Sequence, residues 1–239
     1  MYFNQNDYDI RFEWGLSGLE ALLPVSDVMV IVDVLSFTTC VDIVVGRGGL
    51  VLPYRGEAEA LPAFAHSQNA LYASHKRQQD TAYSLSPTSL LNVPAGTRLV
   101  LPSPNGSTLS LSTGNTPTLA GCLRNATAVA ASAQQHGQRI SVIAAGERWP
   151  GGLLRPSLED LLGAGAIIAH LTGTRSPEAD TAVAAFHHAQ PHLPDILHRC
   201  GSGKELIGRG FADDVQLASQ LNVSDVAPLL TGNAYQNSH

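Results

Sequence analysis

VMVIVDVLSFTTC, residues 28–40, is the stretch whose reading decides the fold. Val28, Met29, Val30, Ile31 and Val32 make a nearly unbroken run of branched apolar side chains. Such a run suits a strand covered on both faces, as in a sheet sandwiched between helices. Asp33 follows at once, and then a hydroxyl-rich turn with Ser36, Thr38 and Thr39. Open α/β sheets bind ligands outside the carboxyl ends of their strands. Asp33 therefore stands where a carboxylate can hold a divalent cation or orient a nucleophile. It can equally close the strand or cap the next helix.

Outward from this strand the chain keeps a β-α rhythm. Residues 8–14 alternate apolar and polar, as a half-buried strand does. Residues 17–23 read as a short helix stopped by Pro24. After the turn, residues 39–45 are apolar enough for a buried helix, halted by Gly46, Gly48 and Gly49. A strand at 50–54 and a helix at 56–66 continue the pattern of a parallel sheet with crossover helices. Residues 71–73 suggest a strand, 75–80 a polar loop and 86–91 a short N-capped helix. The strand at 98–101 runs into PSPNGST, residues 102–108, a second hydroxyl-rich strand end. Its Asn-Gly is either a tight turn or a set of backbone N–H groups for an anion. Residues 119–123 suit a buried strand, and 125–135 a helix capped by Asn125. The strand at 139–145 ends in GERWPGG, residues 146–152.

Ser157 with Asp160 three residues on has the form of a capping box, opening a helix to about His170. Two carboxylates in that first turn, Glu159 and Asp160, also suit the helix dipole. Residues 177–190, 193–206 (with a break near 201–203) and 211–218 read as helices. Residues 225–230 close the chain, and 231–239 read as a frayed polar tail. No repeat, low-complexity tract or linker interrupts residues 1–239. The expectation is one three-layer α/β/α domain with a mostly parallel or mixed sheet and a helical C-terminal part.

The chain is 44% hydrophobic and only 14% charged, against roughly 25% in an average domain, which argues for a well-buried interior. Its net charge of −6 and lack of a Lys/Arg cluster speak against nucleic acid as a partner. The N-terminus has no apolar signal region, and no run reaches the ~18–20 residues of a membrane span. Three cysteines, Cys40, Cys122 and Cys200, with no CxxC, suit free thiols in a reducing compartment. A cytoplasmic protein without membrane partner is expected, with homo-oligomerisation left open.

Three strand-end loops stand out: residues 33–39, 102–108 and 146–160. Together they offer a carboxylate, an Asn-Gly-Ser-Thr turn, and Glu159 with Asp160 near Arg148 and Arg155. Hard oxygens of this kind hold Mg²⁺, which favours one or two carboxylates completed by water and substrate phosphate. Arginines and backbone N–H groups neutralise the phosphate, and the metal polarises phosphorus and activates water. Other chemistries lack their motifs. GxxxxGK followed by Ser or Thr is absent, and Gly46, Gly48 and Gly49 precede a strand instead of opening a helix. Six residues separate Cys40 from Arg47 where a cysteine phosphatase loop needs five, so Cys40 reads as a buried thiol. Asp33 has no second carboxylate two residues on. His187, His188, His192 and His198 form no HExxH and read as surface or core residues.

Taken together, these motifs resemble the Mg²⁺-dependent 2-phosphosulfolactate phosphatase family. The family strand end matches DVLSFTT (33–39), its T-T-N-G-T loop matches SPNGS (103–107), and its A-G and S-x-E-D elements match Ala145–Gly146 and SLEDLLGAG (157–165). SGKEL (202–206), GFADD (210–214) and VAP (226–228) follow in order. The resemblance implies a three-layer α/β/α phosphatase for a small acidic phosphate monoester, hydrolysing phosphosulfolactate in coenzyme M biosynthesis. It makes Asp33, Glu159 and Asp160 the catalytic acidic set, with Asp33 and Asp160 holding Mg²⁺. It makes Thr38, Thr39, Asn105, Gly106 and Ser107 substrate contacts, and Arg148 is added to them from the neighbouring loop. Two departures stand out. Ser36 replaces a family arginine, and residues 72–87 lack a family glutamate and asparagine. The alternative expectation is a diverged, catalytically weak member that binds an acidic metabolite.

Overall fold

The computed structural model describes residues 2–74 and 82–238, and the loop expected at 75–80 lies outside the described residues. In chain order the strands are β1 (Ile10–Trp14), β2 (Val28–Val32), β3 (Leu50–Tyr54), β4 (Leu71–Tyr72), β5 (Arg98–Pro102), β6 (Thr118–Gly121), β7 (Ile140–Ala144), β8 (Glu147–Arg148), β9 (Leu154–Arg155), β10 (Pro228–Thr231) and β11 (Ala234–Asn237). The helices are α1 (Gly15–Leu22), α2 (Phe37–Gly46), α3 (Leu61–Ser67), α4 (Gly106–Ser110), α5 (Ala126–His136), α6 (Leu158–Ile168), α7 (Pro177–Ala189), α8 (Leu193–Arg199), α9 (Gly201–Gly208) and α10 (Ala212–Ala218).

Strand β2 shows why its run is wholly apolar. Val28, Val30 and Val32 enter one core, with α5, α6 and α7, while Met29 and Ile31 enter another, with Leu19, Leu22 and Leu109 from α1 and α4. A strand with a core on each face has no place for a polar side chain. Helix α2 is equally enclosed: every residue from Phe37 to Val45 is buried, against β3, β6 and β11. Its one carboxylate, Asp42, is paired with Arg124 at 2.9 Å and accepts from the Ser224 hydroxyl at 2.6 Å.

Among the described residues the main sheet has nine strands in the order β1-β7-β2-β6-β10-β11-β3-β5-β4. β1, β7, β2 and β6 form one parallel block, and β3, β5 and β4 another. Hairpin β10–β11 joins them, antiparallel to β6 on one side and to β3 on the other, so the two blocks run in opposite directions. With helices on both faces this is a three-layer α/β/α architecture built on a mixed sheet.

The hairpin corrects the reading of residues 231–239 as a frayed tail. Tyr235 on β11 is fully buried and donates its hydroxyl to Ser110 Oγ at 2.7 Å. β11 buries the consecutive residues Ala234 and Tyr235 in two different cores and exposes the next two, so no apolar–polar alternation sets it off from a polar tail. Other local readings shift for similar reasons. Residues 87–90 form a 3₁₀ turn, and Ser86 does not cap it but donates to Asp214 Oδ1 at 2.8 Å. Asp214 on α10 also accepts the Thr88 N–H and hydroxyl, at 2.9 and 2.7 Å, and so pins this turn. Asn125 accepts the Cys122 N–H at 2.9 Å instead of capping α5. Residues 146–155, read as loop, contain hairpin β8–β9, in which Glu147 pairs with Arg155.

Candidate active site

The turn after β2 is tied to itself before it meets anything else. Thr38 Oγ1 donates to the Asp33 carbonyl at 2.8 Å, and Thr39 Oγ1 to the Val34 carbonyl at 2.8 Å. Both threonines are fully buried. These bonds aim the Asp33 carboxylate, which accepts the Phe37 N–H at Oδ1 (3.2 Å) and the Gly106 N–H at Oδ2 (2.9 Å). The second of these bonds joins the carboxyl end of β2 to that of β5. It requires glycine at 106: a Cβ there would lie 2.3 Å from Phe37 Cδ1 and 2.7 Å from Asp33 Oδ2. Ser107, next along, is buried and donates to the Leu101 carbonyl at 2.9 Å. Asn105 turns outward and donates from Nδ2 to Glu147 Oε2 at 3.1 Å.

Helix α6 brings the third strand end in. Ser157 is its N-cap, but its hydroxyl donates to Asp160 Oδ2 at 2.7 Å and makes no cap to the backbone. Asp160 instead reaches across to two loops. Its Oδ1 accepts the Val34 N–H at 2.8 Å, and its Oδ2 accepts the Gly146 N–H at 2.9 Å. The turn at Gly146 (φ +67°) suits glycine, and a Cβ there would also press on Leu154. Asp160 thus ties the ends of β2 and β7 to the first turn of α6. Burial first, then the neighbouring charges of Glu159 and Asp33, raise its pKa well above the ordinary carboxylate range.

Glu159 is the group whose surroundings ask for a cation. It is 2% exposed, and among the described residues the hydrogen bond it accepts comes from the Cys200 thiol at 3.4 Å. Its charge acts on Asp160 and on Glu147. A buried carboxylate with a weak thiol donor, set beside other carboxylates, is costly unless a cation neutralises it. Among the described residues no three Asp, Glu, His or Cys side chains form an ion cage by themselves. Mg²⁺ needs only one or two carboxylates, its shell being completed by water and substrate oxygens. The hard oxygens of Asp33 and Glu159 are therefore suitable donors.

Beside the Asp33 turn a cavity of about 200 Å³ is lined by Leu35, Pro104, Glu147, Ser202, Glu205 and Arg209, among others. A second, of about 310 Å³, includes Pro104, Asn105 and Arg148. Arg155, opposite Glu147 on the hairpin, donates to Ser202 Oγ at 2.9 Å and lies over the Trp149 ring. Cys200 caps α9 by accepting the Gly203 N–H at 3.3 Å, and burial with the nearby Glu159 pushes its thiol up to about 12.

The structure thus gathers Asp33, Asn105, Gly106, Glu159 and Asp160. The hydroxyls of Thr38, Thr39 and Ser107, expected as substrate contacts, are buried in bonds to backbone carbonyls. Arg148 is exposed, donates to the Gly152 carbonyl at 3.1 Å, and lines the second cavity. Glu147, Cys200 and Ser202 join the site without having been expected there, and Arg155, noted in sequence beside Glu159 and Asp160, joins it through Ser202. Glu147 carried the usable signal, since it lies three residues beyond the last residue of β7, at a strand end. Arg155 stood out as a cation near Glu159 and Asp160, but its bond to Ser202 did not, because that meeting depends on hairpin β8–β9.

The sequence profile of the 2-phosphosulpholactate phosphatase family matches residues 19–233. A 2-phosphosulfolactate phosphatase of Methanothermobacter thermautotrophicus is 29% identical over 206 residues, covering 85% of this chain and 87% of that protein. A probable 2-phosphosulfolactate phosphatase of Carboxydothermus hydrogenoformans is 35% identical over 136 residues, 56% of this chain and 55% of its own. A probable 2-phosphosulfolactate phosphatase of Gloeobacter violaceus is 33% identical over 86 residues, 36% of this chain and 35% of its own.

Proposed function

The chain belongs to the 2-phosphosulfolactate phosphatase family, and from that premise we propose that it is a phosphoric monoester hydrolase. Its substrate would be 2-phosphosulfolactate or a close acidic relative, and its cofactor Mg²⁺. The observation that carries the reading is the convergence of two strand ends on Asp33, through the Gly106 N–H, with Asp33 and the buried Glu159 both close enough to act on Asp160. Asp33 and Glu159 would hold the ion, and Asp160 would fix the turn that presents Asp33. Bound there, Mg²⁺ would offset the charge of the phosphate dianion and of the carboxylates around it.

The chain's own groups do the positioning. The Gly106 N–H and the Thr38 bonds fix the Asp33 carboxylate, which limits its reorganisation when substrate enters. Asn105 holds Glu147 at the wall of the 200 Å³ cavity. The apolar part of that wall, Leu35, Leu85 and Leu206, shields the reacting phosphate from bulk water. The resemblance would set the reaction in coenzyme M biosynthesis, in the cytoplasm. Among the described residues no helix is long and apolar enough to cross a membrane.

Phosphate release from 2-phosphosulfolactate and a panel of small phosphate monoesters, with Mg²⁺ and with EDTA, tests this reading. Release that needs Mg²⁺ and is lost in Asp33→Asn supports it, and release indifferent to EDTA overturns it. Binding of sulfolactate or phospholactate without turnover of any ester would instead favour the metabolite-binding alternative.

A further inference from the structure

The phosphatase reading leaves one step without an agent, the protonation of the departing alcohol. The carboxylates around the Asp33 turn are not equivalent for that task. Both oxygens of Asp33 and both of Asp160 accept backbone N–H groups. Glu159 is turned toward the Cys200 thiol. Glu205, which lines the cavity, is largely exposed and paired with Arg209 at 3.1 Å.

Glu147 differs from all of them. It lines the cavity, it is mostly buried, and Asn105 grips its Oε2 at 3.1 Å. Its backbone is fixed by pairing with Arg155 across hairpin β8–β9. We propose that Glu147 is the general acid of the reaction, delivering its proton to the ester oxygen as the phosphorus–oxygen bond breaks. The inference rests on the phosphatase reading and adds a catalytic residue to it.

The step balances. Water oxygen bonds to phosphorus while the ester P–O bond breaks. The bonding pair stays on the alkoxide oxygen, which takes the Glu147 proton and leaves as the alcohol. The proton lost by water passes to a phosphate oxygen and then back to the Glu147 carboxylate. The products are alcohol and phosphate, with Glu147 restored to its acid form.

The neighbourhood favours the proton-carrying form of Glu147. Burial first, and then Glu159 on α6 and Glu205 on α9, raise the proton affinity of Glu147. The Asn105 hydrogen bond and the charge of Arg155 on β9 act in the opposite sense without cancelling the rise. Because the acid form is the active one, activity should fall as pH rises through its titration.

A leaving-group comparison tests the assignment. Phospholactate, an alkyl ester, needs its departing oxygen protonated, whereas p-nitrophenyl phosphate leaves as a stable anion. Glu147→Gln should lower kcat on phospholactate by roughly 10²–10³-fold, the scale of general acid catalysis. On p-nitrophenyl phosphate the loss should be at least tenfold smaller, which also shows that the site is folded. The alkaline limb of the kcat/KM profile should disappear in Glu147→Gln, and Glu147→Asp should recover part of the phospholactate rate. Equal losses on both esters, or an intact alkaline limb, would overturn the assignment while leaving the phosphatase reading in place. Failure of the unmodified protein to release phosphate with Mg²⁺ from either ester and from 2-phosphosulfolactate would overturn both.

Discussion

Asp160→Ala removes the carboxylate that ties β2, β7 and α6 together, and its cost can be worked from three bonds. Val34 N–H (2.8 Å) and Gly146 N–H (2.9 Å) lose a buried acceptor, while the Ser157 hydroxyl can rotate toward another. A buried donor left without a partner costs about 1–3 kcal/mol, so the two amides together account for roughly 2–6 kcal/mol. Removing a buried carboxylate beside Glu159 and Asp33 returns part of that. A net loss of about 3 kcal/mol follows, or ~6–12 °C in Tm for a chain of this size. Asp160→Asn, which keeps one carbonyl acceptor, should lose about half as much.

The pH dependence has a definite sign. Burial holds the Asp160 pKa above its unfolded value, so this group's contribution is fully present below the unfolded pKa and is lost as pH rises through the folded one. The stability gap between the parent and Asp160→Ala should therefore be widest in acid and narrow toward neutral pH. Urea unfolding of both proteins at stepped pH reads it directly. An Asp160→Ala protein within about 0.5 kcal/mol of the parent at every pH, yet inactive, would refute the anchoring role and make Asp160 a reacting or metal-binding group.

Two further substitutions probe the rest of the frame. Gly106→Ala sets a Cβ 2.3 Å from Phe37 Cδ1 and 2.7 Å from Asp33 Oδ2, and should cost about 2–4 kcal/mol through overpacking and loss of the N–H bond to Asp33. Phosphate release should fall about a hundredfold in that variant, since the shift moves the Asp33 carboxylate itself, and chemical denaturation alongside the assay separates the two effects. Tyr235→Ala empties a fully buried position on β11 and should cost about 3–5 kcal/mol in thermal unfolding, whereas a frayed tail would tolerate it.

Much of the frame was legible because its signals are local. The run at β2, the strand at 98–101 and the strand at 139–145 are covered on both faces, so apolar character alone marks them. Hairpin β10–β11 was not legible: two apolar residues in β11 cannot announce a strand, and its place between β6 and β3 depends on partners far away in sequence. At the site, Asp33 and Asn105 stood out because each follows a strand end. The hydroxyls of Thr38, Thr39 and Ser107 looked available in sequence, but they serve carbonyls of the same turns, which only the folded backbone reveals. The Ser157–Asp160 spacing looked like a helix cap for the same reason. Whether such a carboxylate turns back to its own helix or across to Val34 and Gly146 is decided by which loops lie nearby.

The most direct measurement of the central claim is phosphate release from 2-phosphosulfolactate by the purified protein, with Mg²⁺ present and after its removal by EDTA, in the parent and in Asp33→Asn. The expected result is release that requires Mg²⁺ and is lost in a variant that still folds, its stability lowered by only the roughly 1–3 kcal/mol of one buried N–H left without its carboxylate acceptor. Release that persists in EDTA, or in a folded Asp33→Asn protein, would contradict it.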